Sequence, residues 1–268
     1  MRKIALTCIF ISCNFVLSAC QEAVKPDEGP WPNGHSINQA LNFSALDSTD
    51  AYDRHTLVHN DEPLGVFLHM KPGPQPRIVT FPHEGISVQQ AMNTTDALIV
   101  LGSGFVSEAH SLEPVGLLRV NDVQLSPLAP YGYTRIVGIN DSEAGVVHRS
   151  TYERNMFVSA LQAGPGIIEK GVLDISERDL ERPKYYRSFL ALCTDGLSVG
   201  ISTQPTNLHT LGQALVNLFA QEQLDCPEVV NLAGDRQAVL AVRSSDGEGY
   251  FFHGDIITNK VTLFSFER

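Results

Sequence analysis

The side chains in this sequence that could do chemistry are few and far apart. Nine histidines are scattered along the chain, and His55 with His59 has the i,i+4 spacing that sets two imidazoles on one helical face toward a metal. Asp61, Glu62 and Pro63 follow at once, so the stretch does not read as a helix and no metal is expected there. No Gly-x-Ser-x-Gly elbow, paired-glycine nucleotide loop, His-Glu-x-x-His or calcium loop occurs, so no cofactor is expected either. What remains is Arg187-Ser188, at the entrance to an apolar run, and Asp235-Arg236, at the exit from another. Brought together, a carboxyl group could protonate a leaving oxygen while a guanidinium held a phosphate. Left apart, Asp235 and Arg236 are solvated turn residues and Arg187 is a structural partner for a carboxylate.

The elements that must position these residues are mostly strands. Short apolar runs bounded by turn residues recur at 96–101, 115–120, 156–161, 189–194, 197–202, 228–232, 238–242, 250–253 and 261–266. A helix is expected over 208–221, where Leu211, Leu215, Leu218 and Phe219 share a face and Thr206 or Asn207 caps the start. A shorter one is expected over 88–92 behind Ser87. Two helices among nine or more strands predict an α+β domain with a many-stranded mixed sheet, over residues 51–268.

The turns between these runs come in a distinctive order. Ala97-Leu-Ile-Val-Leu101 leads into Gly102-Ser103-Gly104-Phe105, then Pro114, Gly116-Leu117 and Ser126-Pro127-Leu128. After these come Gly164-Pro165, Arg187-Ser188, the helix, and Asn231-Leu232-Ala233-Gly234-Asp235-Arg236. The series resembles the phosphodiester glycosidase family over residues 96–242. That family has Asn-Gly-Gly-Phe or Asn-Ala-Gly-Met after the first strand, then Pro-x-Gly-Leu, Pro-Leu, Ser-Gly-Pro, Arg-Thr or Arg-Asn, a helix, and Asn-Leu-Asp-Gly-Gly.

The resemblance implies a glycosidase-like sheet domain acting on a glycan or sugar phosphodiester. Asp235, Arg187 and Ser188 would be the catalytic candidates, and Ser103, Gly104, Gly164, Pro165, Gly234 and Arg236 would line the substrate site. The polar members of the pattern are where this chain departs: Gly102 replaces Asn, Ser188 replaces Thr or Asn, Ala233 replaces the Asp of Asp-Gly-Gly, and Asp235 replaces its second Gly. Two expectations follow, a sugar-phosphodiester hydrolase rescued by Asp235, or a non-catalytic glycan-binding or structural relative. Glu108, His110 and Glu113, beyond the first glycine turn, are expected at the surface.

The amino terminus indicates export. Arg2 and Lys3 precede a short apolar run ending Leu17-Ser18-Ala19-Cys20, which resembles a lipobox. Residues 1–19 would be the signal peptide, Cys20 the lipid-modified residue, and 20–50, rich in Pro, Gly and Asn, a flexible tether. An ordinary cleaved signal with an incidental cysteine is the alternative. Gln21 after the cysteine points to the outer membrane, facing the periplasm, by the sorting convention of enteric bacteria. A net charge of −11 argues against nucleic acid as a partner. Export leaves Cys193 and Cys226 as an even pair, either bridged or buried as separate thiols. In the order of the resembled family their segments are neighbours, which implies a disulfide.

Overall fold

The computed structural model describes residues 39–81, 84–107, 112–141 and 143–268. The signal segment, Cys20 and the start of the tether lie outside the described residues, as do Glu108 and His110. Among the described residues are twenty strands and two α-helices, so the domain is rich in sheet, and nearly every strand pair is antiparallel.

A seven-stranded sheet runs, in spatial order, Val172–Leu173, Gly166–Glu169, Glu228–Gly234, Arg187–Cys193, Gly196–Ser202, Glu62–Met70 and Tyr52–His59. Alternation along its strands divides the side chains between two faces. Phe67, Phe189 and Ala191 pack beneath the helix Leu208–Glu222, against Leu211, Leu215 and Phe219. Leu68, Leu190, Val199 and Leu232 point the other way, into a core shared with a second sheet.

That second sheet has six strands: Gln39–Leu41, Gly249–His253, Leu240–Arg243, Ala97–Ser103, Thr262–Glu267 and Gln75–Thr80. Ile99, Leu101, Val242 and Phe264 face the shared core, while Val100, Ala241 and Leu263 pack under the helix Val88–Thr94. A five-stranded sheet adds Leu118, Val137 and Leu161 to the same core. Two sheets back to back with a helix on each outer face bury both faces of their central strands, which therefore read as continuous apolar runs.

Both helices begin where expected. The Asn207 side chain accepts from Thr210 N at 2.8 Å, and Ser87 with Gln90 forms a reciprocal capping box. Two expectations are revised. The run 115–120 is not one strand, because Gly116 takes φ +94° and the ladder restarts at Leu118. Gln39–Leu41, placed in the tether by its composition, pairs in parallel with Gly249–Phe251, and Leu46 is buried. The folded part therefore starts no later than Gln39, and this one parallel pair is what makes the sheet mixed.

Cys193 and Cys226 form a disulfide with Cα atoms 3.8 Å apart, tying the strand before the long helix to the segment after it. The bridge spans a sequence separation of 33, for which loop entropy predicts about 3–4 kcal/mol of stabilisation. Urea unfolding of oxidised and reduced protein, in buffer containing a chelator, should show that loss. Coincident transitions would mean that the bridge does not constrain the unfolded chain.

Candidate functional site

The turns singled out in the sequence do meet, along the seam where the two large sheets touch. Arg187–Cys193 and Glu228–Gly234 are adjacent antiparallel strands whose register sets Arg187 opposite Gly234 and Ser188 opposite Ala233. Across the seam, Ser188 Oγ donates to the Gly102 carbonyl at 2.8 Å. Beyond Gly234 the chain turns through Asp235–Gln237, with Asp235 N donating to Tyr186 O at 2.9 Å, and passes back over Gly102, whose N–H donates to Val239 O at 2.8 Å. Lys260, 1% exposed, fixes this turn from below by donating from Nζ to Arg236 O at 2.8 Å. Burial lowers its pKa, against the pull of Asp255.

A second junction joins the turn Gly164-Pro165 to the same strand. Gly164 N donates to Asn231 O at 2.9 Å, Asn231 Nδ2 donates to Gly164 O at 3.1 Å, and Asn231 N donates to Pro165 O. The Gly164-Pro165 peptide is cis, and Gly164 has φ +136°, with Thr134 N only 2.8 Å from where a Cβ would stand. Asn231 Oδ1 is buried here, and Ser103 Oγ is buried at the end of the strand Ala97–Ser103, each without a hydrogen-bond partner among the described residues. Gly104, at φ +78°, follows Ser103 and starts the hairpin in which Phe105 stacks on Tyr133 at 4.4 Å.

The polar candidates are distributed unevenly across this seam. Ser188 is wholly buried and its hydroxyl is committed to Gly102. Ala233 is wholly buried too, so the place where the resembled pattern has a carboxylate is filled by a methyl group. Asp235 sits exposed at the tip of the turn with φ +52°, and Arg236 beside it is exposed as well. Arg187, paired with Gly234, is partly buried. Its guanidinium stacks over Tyr185 at 5.1 Å, its Nη1 is 3.0 Å from where a Cβ on Gly234 would stand, and its Nε is buried without a hydrogen-bond partner. Burial pushes the Arg187 pKa down, with Asp179 and Tyr185 opposing.

Sequence reasoning missed several participants. Tyr186, 37% exposed, lies 5.5 Å from the ring of His253, which lies 5.7 Å from Phe43; burial lowers the His253 pKa. Tyr185, under the Arg187 guanidinium, and Tyr186, next to Arg187 in sequence, are both exposed. Gln162, fully buried, uses its whole carboxamide, accepting from Leu117 N and Ala129 N and donating to Ala129 O and Tyr133 O. It thereby sets the loops around Gly116 and Tyr133. A lone amide directly after the run 156–161 was the available signal for Gln162; nothing in the local pattern marked Lys260.

The arrangement can offer a cation and flat rings to a ligand with anionic and apolar faces. Among the described residues, no carboxyl group stands at the position of Ala233. No family model matches the sequence, and no curated protein matches it. Among solved structures the chain is similar to the catalytic domain of zebrafish N-acetylglucosamine-1-phosphodiester alpha-N-acetylglucosaminidase, auto-inhibited by its pro-peptide. The TM-score is 0.59 at 10% identity, covering 86% of this chain and 87% of that one. The two share a fold. A hypothetical protein from Synechocystis is similar with TM-score 0.53 and 11% identity, over 81% of this chain and 62% of that chain, so this chain spans less than two thirds of that neighbour.

The seam also tests the correspondence with the glycosidase-like pattern at Gly102. A Cβ there would press into the Gln237 carbonyl and stand 2.7 Å from Val239 Cγ1. The Asn of the pattern does not fit against the turn as this chain builds it. Gly102→Ala is expected to cost about 1–3 kcal/mol by overpacking, read as a lower urea midpoint at unchanged slope. An unaltered midpoint would show that the turn yields freely.

Proposed function

We propose that this chain is a non-catalytic relative of the phosphodiester glycosidase fold, a lipid-anchored envelope protein that presents a glycan-binding or structural surface. The observation that carries this reading is Ala233, fully buried opposite Ser188, at the position where acid or base chemistry on a glycosyl phosphodiester would need a carboxyl group. Asp235 does not replace it, because the turn that carries Asp235 directs the chain outward while the Gln237 carbonyl and Val239 cover Gly102. What stays accessible is the margin of Tyr185, Tyr186 and Arg187, suited to the face of a sugar ring and an anionic substituent. The likeness to the zebrafish domain supports the fold and hence a sugar-phosphodiester class of ligand.

The detergent-solubilised full chain should show no hydrolysis of synthetic N-acetylglucosaminyl phosphodiesters above buffer, and Asp235→Ala should change nothing. Robust wild-type turnover would overturn the proposal. If that turnover dropped by about 100-fold or more in Asp235→Ala, the rescue by Asp235 would be the correct reading instead.

The anchor part of the proposal rests on the charged start, short apolar run and Leu17-Ser18-Ala19-Cys20 ending. Cys20→Ser should remove acylation and either shift the protein out of the membrane fraction or stall its processing. Unchanged fractionation of that variant, with no acyl mass on the wild-type amino terminus, would dispose of the anchor.

A further inference from the structure

Far from the seam, at the opposite end of the strand Arg187–Cys193, the disulfide lies beside a histidine. His69 stands on Glu62–Met70, the strand that pairs with Gly196–Ser202. One ring nitrogen of His69 and both sulfurs of Cys193 and Cys226 lie within 4.8 Å of one another, the only such grouping of three or more metal-ligand types among the described residues. Both ring nitrogens also have an outer partner. Nε2 is 2.9 Å from Asp195 Oδ2, and Nδ1 is 3.3 Å from Ser198 Oγ, which itself accepts from Met70 N at 3.0 Å. Ser198, His69 and Asp195 form a line like a proton relay, but Ser198 is wholly buried and no substrate can reach its hydroxyl.

We infer that reduction of the Cys193–Cys226 bridge turns this corner into a zinc site with Cys193, Cys226 and His69 as ligands. Two thiolates and an imidazole suit zinc in both softness and geometry, with metal distances of about 2.3 and 2.0–2.1 Å. Tetrahedral ligands at those lengths stand about 3.4–3.8 Å apart, so the sulfurs, now bonded to each other, must separate once reduced, while the imidazole is already within 4.8 Å of both. Opening the S–S bond and rotating the two Cβ–Sγ bonds is the movement required. Whichever ring nitrogen takes the metal, the other is held by Asp195 or Ser198, the outer hydrogen bond that fixes a ligating imidazole. Asp195, its side chain 44% exposed in the turn between the two strands, leaves the fourth position to itself or to water and provides the way in.

The chemistry balances with a named reductant. A phosphine takes the oxygen of one water molecule to become its oxide and leaves both sulfurs as thiols. In a cell, a dithiol would do the same and become a disulfide itself. Zinc then displaces the two thiol protons to solvent, so affinity should rise with pH. The inference is independent of the proposed function.

The test uses the full chain in detergent, oxidised or reduced with a phosphine, dialysed against zinc and analysed for metal, with cobalt(II) as a spectroscopic probe. The reduced protein should take up one equivalent of zinc and give the thiolate-to-cobalt charge-transfer band and strong visible bands of a tetrahedral site; the oxidised protein should do neither. His69→Ala, whose bridge can still form, should weaken zinc binding by about tenfold or more, and Asp195→Asn by about 10- to 100-fold if the carboxylate orients the ring. Far-ultraviolet circular dichroism should show that the reduced chain stays folded. A bridge that resists the phosphine, a reduced chain that unfolds, no stoichiometric zinc, or His69→Ala binding as tightly as wild type would each overturn the inference.

Discussion

The passage of the Gln237 carbonyl over Gly102 is the constraint on which the candidate site depends. A glycine at 102 lets the returning chain descend close enough for Val239 O to receive the Gly102 N–H while Ser188 Oγ donates to the Gly102 carbonyl. Three segments distant in sequence are thereby locked at one residue. Any side chain at 102 would lift the turn Asp235–Gln237, and with it the carbonyl that receives the buried Lys260 ammonium. The seam is thus closed through backbone carbonyls and N–H groups, with the Ser188 hydroxyl and the Lys260 ammonium as side-chain donors, and none of these hydrogen bonds uses the side chain at 233.

That closure has an electrostatic consequence. A carboxylate at position 233 would sit where the present alanine has no contact with solvent, and an unpaired buried charge costs several kcal/mol. Of the buried cations near it, Arg187 is stacked on Tyr185 with Gly234 against Nη1, and the Lys260 ammonium is committed to the Arg236 carbonyl. Alanine at 233 therefore agrees with the rest of the seam. Restoring an acid there would demand movement of the turn as well as a new side chain.

The fold was legible wherever burial leaves a periodic trace. The helix Leu208–Glu222 declared itself through Leu211, Leu215, Leu218 and Phe219, and Ser87 marked the start of the shorter helix. Strands such as Ala97–Ser103 showed as unbroken apolar runs because both of their faces are covered. Tyr52–His59 and Glu62–Met70 were harder, since polar residues on partly exposed positions interrupt the pattern. Gln39–Leu41 joins the sheet by backbone pairing with Gly249–Phe251, which composition does not register. The same distinction runs through the site. The glycine turns located the seam, but its closure comes from the Gln237 carbonyl and the Lys260 ammonium, long-range contacts with no local signature.

One strand connects the two chemically distinctive corners of the molecule. Arg187 opens it at the seam and Cys193 ends it at the disulfide, about 20 Å away at strand rise. Between them Phe189, Leu190 and Ala191 are fully buried, with neighbours paired on both sides. Such a strand transmits position well, because sliding it by one residue would send Phe189 toward the wrong face. That pairing and burial set the register that places Ser188 beneath Gly102 and Arg187 beside Gly234, and the bridge at the far end adds a covalent tie between the end of this strand and the segment after the long helix. With the bridge opened, a metal held by both sulfurs and His69 would tie the same segments again.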